Sequence, residues 1–163
     1  MEKGFSPQEI LRVAVQVEEK GKKLFGILEE QAENIKLKAV WKYLKEQEIV
    51  HCEIFQDMLD NMSDYIVDDF SPGEYDAYMK AIAMDYILTP EIIDAKSKES
   101  FASDLDAVDF GIFIEKQSIL TYNAFREFIQ NDKQHVLDRI IEEEKKHFMR
   151  LVSLRDMIKE ETG

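Results

Sequence analysis

The chain has 163 residues, 45% hydrophobic and 34% charged, with six glycines, three prolines and one cysteine. Its formal net charge of −13 argues against nucleic acid or an anionic membrane as partner, because both demand basic surface. A chain of this length buries about 70% of its unfolded surface, so a single domain over 1–163 with its own core is expected, and no disulfide is needed to hold it.

The lone Cys52 leaves no internal disulfide and no four-cysteine metal module, and it fits a reducing compartment. The first residues, MEKGFSPQEI, lack the apolar core of a signal peptide. No stretch approaches the ~20 apolar residues that span a membrane. A soluble, cytoplasmic protein is the expectation.

Ser6-Pro7-Gln8-Glu9 has the form of a helix start, with a Ser cap, Pro at the first helical position and Glu completing a capping box. A stripe follows in steps of three and four: Leu11, Ala14, Val15, Glu18, Gly21, Phe25, Leu28, Ala32. A short turn near Ala32-Glu33-Asn34 leads to a second stripe of Leu37, Trp41, Leu44, Glu48, His51, Phe55 and Leu59. Residues 62–103 break this regularity. Ser71-Pro72-Gly73-Glu74 starts a short helix reaching Ile87, Thr89-Pro90-Glu91 opens another piece, and Tyr75, Tyr78, Met79, Met84 and Tyr86 make the segment rich in Met and Tyr. It reads as a crossover along a bundle, with the capacity to form an apolar dimer face, although packing on its own bundle is the commoner role for such a segment.

Ser103-Asp104-Leu105-Asp106 resembles another cap. The third stripe is Val108, Gly111, Ile112, Glu115, Ser118, Ile119, Tyr122, Phe125 and Ile129. After Asn131-Asp132 the fourth is Leu137, Ile140, Ile141, Glu144, His147, Phe148, Leu151, Leu154 and Ile158. Helices are thus expected at about 7–32, 35–61, 104–130 and 133–160, with a crossover over 62–103. Two helical hairpins joined by a long crossover describe an all-α, ferritin-like four-helix bundle.

Each stripe carries an acid where a hydrophobe belongs: Glu18, Glu48, Glu115 and Glu144. The adjacent Glu19 shares a face with Arg12, Gln16, Lys22 and Lys23 and is read as solvent-facing. Buried carboxylates cost several kcal/mol each unless paired or bound to metal, and no lysine or arginine lies on the inward stripes to neutralise these four. Two of the three histidines stand three residues after such an acid, in Glu48-x-x-His51 and Glu144-x-x-His147. One such match is more often a surface pair. The support for both is an internal repeat. Thirty residues separate Glu18 from Glu48 and twenty-nine separate Glu115 from Glu144, while Phe25 and Tyr122 each stand seven beyond the first acid of their half.

On a helix, positions i and i+3 lie about 60° apart around the axis and ~4.5 Å along it, so Glu and His can share one ion or adjacent ions. Four carboxylates and two imidazoles suit two divalent ions, whose charge of +4 would match four ionised glutamates. Oxygen with imidazole nitrogen favours iron, with manganese as the alternative. This is the known ligand pattern of the di-iron and di-manganese carboxylate proteins, matched here rather than discovered. His135 falls with Lys133 and Gln134 and is read as a surface residue. Cys52 is read as a small core residue, and Tyr122 as a core aromatic that could also donate a hydrogen bond to a ligand.

At Glu18, Glu48-x-x-His51, Glu115 and Glu144-x-x-His147 the chain resembles the ferritin-like di-iron carboxylate superfamily, and within it the rubrerythrin-like branch. The resemblance covers both hairpins, their order and the crossover. It implies a di-iron centre that reduces hydrogen peroxide or dioxygen and is re-reduced by an external electron donor such as rubredoxin, in a protein expected to be a homodimer. Two departures stand out. Rubrerythrins proper carry a further glutamate three residues after the third-helix ligand, where this chain has Ser118, and a C-terminal rubredoxin module, which is not expected here because the chain stops at Gly163. Two other readings remain: iron binding or ferroxidation without turnover, and a metal-free helical scaffold acting through partners.

Overall fold

The computed structural model describes residues 7–65, 95 and 101–163. The Ser6 cap, the short helices expected between Ser71 and Glu91, and most of the crossover lie outside those residues. Among the described residues the molecule is almost entirely helical, with no β-strand. The elements are α1 (Pro7–Gln31), α2 (Ile35–Asp60), the single turn α3 (Met62–Tyr65), α4 (Asp104–Phe125), a 3₁₀ turn (Arg126–Phe128) and α5 (Gln134–Thr162).

Helices α1 and α2 pack along their length as one hairpin and α4 and α5 as another, while direct backbone approaches between the hairpins are sparse. Local chemistry starts each element. Asn34 caps α2 by accepting hydrogen bonds from Lys36 N–H (2.9 Å) and Leu37 N–H (3.3 Å), which satisfies two of the orphan donors of a first turn. Ser103 caps α4 by accepting from Asp106 N–H at 3.2 Å.

The third long helix ends earlier than the expected residue 130. Phe125, Phe128 and Ile129 share one helical face and are all buried, yet the α-helix does not continue through them. The chain tightens to 3₁₀ and reaches extended geometry at Ile129. Gln134 donates to the carbonyls of Arg126 (3.2 Å) and Ile129 (3.3 Å), and the Arg126 guanidinium grips Asp138 through Nε (2.6 Å) and Nη2 (3.1 Å). Gln130 N–H donates to the Tyr65 carbonyl at 2.7 Å, so this corner is stitched to the end of the first hairpin.

The core forms two apolar clusters. One holds Leu24, Phe25, Leu37, Trp41, Leu44, Val108, Ile112 and Leu151; the other holds Leu11, Ala14, Phe55, Met58, Tyr122, Phe125, Leu137 and Ile140. The inward stripes are wider than the expected steps. Val17, Leu24 and Met58 are buried although they fall off them, while Val15, Ala32, Leu59, Ile119, Phe148 and Ile158 are half-buried. A helix wedged between two neighbours buries more than one narrow face, which accounts for both groups. Phe25 and Trp41 stack at 5.8 Å between ring centres with 12° between planes, and Gly111 lets the Trp41 ring lie against α4, since a Cβ there would come within 3.3 Å of it. Trp41→Ala should therefore cost about 3–5 kcal/mol in urea denaturation. A loss below ~1 kcal/mol would show that the ring is not anchoring the two hairpins.

Candidate metal centre

The six expected residues converge at mid-bundle. Glu18 comes from α1, Glu48 and His51 from α2, Glu115 from α4, and Glu144 and His147 from α5. All six are between 0 and 4% exposed. Among the described residues the only other fully buried polar side chains are Ser118 and Thr121, and no lysine or arginine is buried. Glu48 and His51, and again Glu144 and His147, are one helical turn apart, so each pair reaches the same volume.

The polar atoms face one another closely. His51 Nδ1 lies 2.8 Å from Glu144 Oε1 and 3.7 Å from Glu18 Oε2. His147 Nδ1 lies 3.3 Å from Glu144 Oε2 and 3.7 Å from Glu115 Oε1. The two imidazoles stack with centres 5.8 Å apart. Two overlapping groups each present donor atoms within 4.8 Å of one another: Glu18, Glu48, His51 and Glu144, and Glu48, Glu115, Glu144 and His147.

This cluster lacks hydrogen-bond donors. Glu18 Oε2 and both oxygens of Glu115 are buried without a hydrogen-bond partner, a condition that costs about 1–3 kcal/mol per group and more for charges. Burial, and then the neighbouring Glu18, Glu144 and Glu115, push the Glu48 carboxyl well above its ordinary range. Burial and then Glu144 and Glu18 do the same to Glu115. Burial alone would lower His51, but its contacts with Glu144 and Glu18 outweigh that and raise it to about 11. Burial would raise Glu144, yet contacts with Glu115, His147 and His51 bring it below its ordinary range. Without a metal, Glu48, Glu115 and His51 therefore hold protons more tightly than they would in water. Orphaned carboxylate oxygens and imidazole nitrogens converging at this range fit a pair of divalent ions.

The metal-free protein should consequently lose stability as pH rises. Glu48, Glu115 and His51 all bind protons more tightly folded than unfolded, so their contribution is present at low pH and decays upward. The decay starts from ordinary values of 4.5 for the glutamates and 6.5 for His51. Glu144 acts oppositely, but only below its ordinary 4.5. Calorimetry in chelator should show the melting temperature falling from pH 5.5 to 9, at up to ~1.4 kcal/mol per pH unit per proton. A flat or rising profile would refute the proton-filled centre.

The remaining candidates sort plainly. Tyr122 is buried and its hydroxyl donates to Glu18 Oε1, so it is both core aromatic and hydrogen-bond partner of a site carboxylate. His135 is exposed, with Nδ1 2.9 Å from the Asp132 carbonyl oxygen, and Glu19 is exposed as expected. Cys52 corrects its expectation: it is half-buried in an open groove with Glu19, Lys22 and Glu53, its thiol directed at the Val15 carbonyl (3.8 Å) and its pKa raised by burial and by Glu19 and Glu18. Helix α2 turns that position toward α1 rather than into the core.

Three residues near the centre were not singled out from sequence. Glu143 Oε2 meets His51 Nε2 at 2.9 Å, Arg139 holds Glu143 at 3.2 Å, and Tyr43 sits edge-on to the His147 ring with centres 5.8 Å apart. A signal existed for the first: Glu143 stands immediately before the second Glu-x-x-His, where the first has Gln47.

The rubrerythrin family model matches residues 9–155. The fold is also similar to a Thermotoga maritima structure described as a ferritin-like diiron-carboxylate protein, with a TM-score of 0.67 over 96% of this chain and 98% of that one, at 22% identity. At that identity the likeness establishes the ferritin-like fold. No curated protein matches the sequence.

Proposed function

Because the chain belongs to the rubrerythrin family, we propose that it is a di-iron oxidoreductase that reduces hydrogen peroxide, or dioxygen, using electrons from a separate carrier. The observation that carries this reading is the buried, donor-starved cluster of four carboxylates and two imidazoles. Glu48 and Glu144 belong to both overlapping groups and would help to hold both ions. Glu18 and His51 would complete one position, and Glu115 and His147 the other. A bound pair of ferrous ions would supply Lewis acidity and two electrons, which together with two protons reduce one hydrogen peroxide to two waters.

The chain's own residues shape that chemistry. The apolar clusters holding Trp41 and Phe25 on one side and Phe55 and Leu137 on the other keep bulk water from the carboxylates. Tyr122, donating to Glu18, holds that carboxylate's outer oxygen and directs the other inward. Exposed Ile35, Met149 and Met157 on the outer faces of α2 and α5 support a surface for a partner protein, and a homodimer is the proposed assembly. Among the described residues no helix is long and apolar enough to cross a membrane.

One feature favours ferroxidation without turnover as a second reading. Ser118 is buried one turn beyond Glu115, where the resembling enzymes carry a further glutamate. A single experiment separates the two. Ferrous protein, loaded anaerobically, is mixed with peroxide and its iron absorption followed, first alone and then with a reduced electron carrier. Rapid oxidation, then catalytic peroxide consumption with the carrier, is the expected result. Oxidation that stops after one equivalent leaves ferroxidation, and an unchanged iron spectrum refutes both.

A further inference from the structure

The two halves of the centre repeat each other in ligands but not in what stands behind them. His51 is held from outside: its Nε2 meets Glu143 Oε2 at 2.9 Å, and Glu143 Oε1 is held by Arg139 Nε at 3.2 Å. His147 has no such support, since its Nε2 is buried without a hydrogen-bond partner. The sequence carries the same inequality. In the repeat Glu143 corresponds to Gln47, each preceding its Glu-x-x-His by one position, and Gln47 is half-buried.

We propose that Glu143, braced by Arg139, is the positioning residue for His51, and that it makes the two metal positions unequal, with the ion beside His51 the more tightly held. The chemistry is direct. A carboxylate on Nε2 requires the proton to reside there, which fixes Nδ1 as the nitrogen with a free lone pair. That nitrogen is the one facing Glu18 and Glu144. The same contact stops the ring from flipping and increases its electron donation to a bound ion, and partners of this kind are worth about 10–100-fold in metal affinity. His147 also turns Nδ1 inward, but with no acceptor on Nε2 nothing selects that tautomer, so its ion is held by the carboxylates with weaker help from the ring. The bond reaches across the bundle, from a residue on α5 to a histidine on α2, so one hairpin sets the ligand of the other.

This inference rests on the two-ion reading above, and the test keeps the two apart. Metal-free protein is titrated with Co(II), following visible absorbance and heat, for wild type, Glu143→Gln, Arg139→Ala and Gln47→Glu, each first checked for unchanged helix content. Wild type should bind two ions in two unequal steps. Glu143→Gln should weaken the tighter step about 10–100-fold and leave the other within about threefold. Arg139→Ala should weaken the same step less, and Gln47→Glu, by supplying His147 with a carboxylate, should tighten the weaker step. A merely structural role for Glu143 would move both steps together, and that result overturns the proposal. So do two equal steps in wild type, or a Glu143→Gln variant with unchanged constants. Absence of Co(II) binding in every protein would instead refute the two-ion centre itself.

Discussion

Glu115→Gln should raise the melting temperature of the metal-free protein and lower that of the metal-loaded one. Both Glu115 oxygens are buried without a partner, and its carboxyl is pushed far above its ordinary 4.5 by burial and by Glu144 and Glu18. A carboxyl displaced upward in this way destabilises the folded chain above its ordinary range, because the charged form is disfavoured there. Glutamine fills the same volume with no proton to hold. Its unpaired amide forfeits part of the gain, leaving a net rise of a few degrees, since about 1 kcal/mol moves the midpoint of a chain this size by about 2–4 °C. With metal present the sign reverses, because a ligand is gone. A site filled at a hundred times its dissociation constant stabilises by about 2.7 kcal/mol, and the variant forgoes much of it. Thermal unfolding in chelator and in excess metal measures both arms. An equal drop in both would mean that Glu115 is an ordinary packed residue under no electrostatic strain.

The second large effect concerns stoichiometry. Glu144→Gln should leave far less than one ion per chain, whereas Glu18→Gln should leave about one. Glu144 belongs to both overlapping groups and contacts both histidines, at 2.8 and 3.3 Å; Glu18 belongs to one group only. Removing one oxygen's charge from a shared carboxylate weakens both positions, and the remaining acids cannot balance two dications. Metal content by emission spectroscopy after dialysis would decide it. A Glu144 variant that keeps two ions would overturn the shared role.

Much of this centre was legible because it violates a rule that the rest of the chain obeys. Each long stripe of hydrophobes is broken once by an acid, and the break repeats at matching spacing, so Glu18, Glu48, Glu115 and Glu144 stand out in the sequence alone. The histidines followed from i+3 geometry. Glu143 did not stand out because half-burial on an acidic helix resembles solvation. Its role depends on a contact with His51, ninety-two positions away in sequence, and only the docking of the hairpins creates it. The early end of α4 escaped for a related reason: Phe125, Phe128 and Ile129 continue a helical period, while the bonds that hold the corner, from Gln134 to the Arg126 and Ile129 carbonyls and from Gln130 to Tyr65, exist only in the folded chain. Cys52 was misplaced because adjacency to His51 in sequence means a 100° rotation on a helix, enough to turn it out of the core toward α1.

The sparse direct approach between the hairpins has a further consequence. Ions seated at that seam would act as rivets between two halves that are each zipped mainly to themselves. A chain deprived of iron would keep its helices but clasp them less firmly, making its supply of metal readable as susceptibility to proteases. Limited digestion of loaded and stripped protein, with first cuts traced to the edges of that seam, would register the difference.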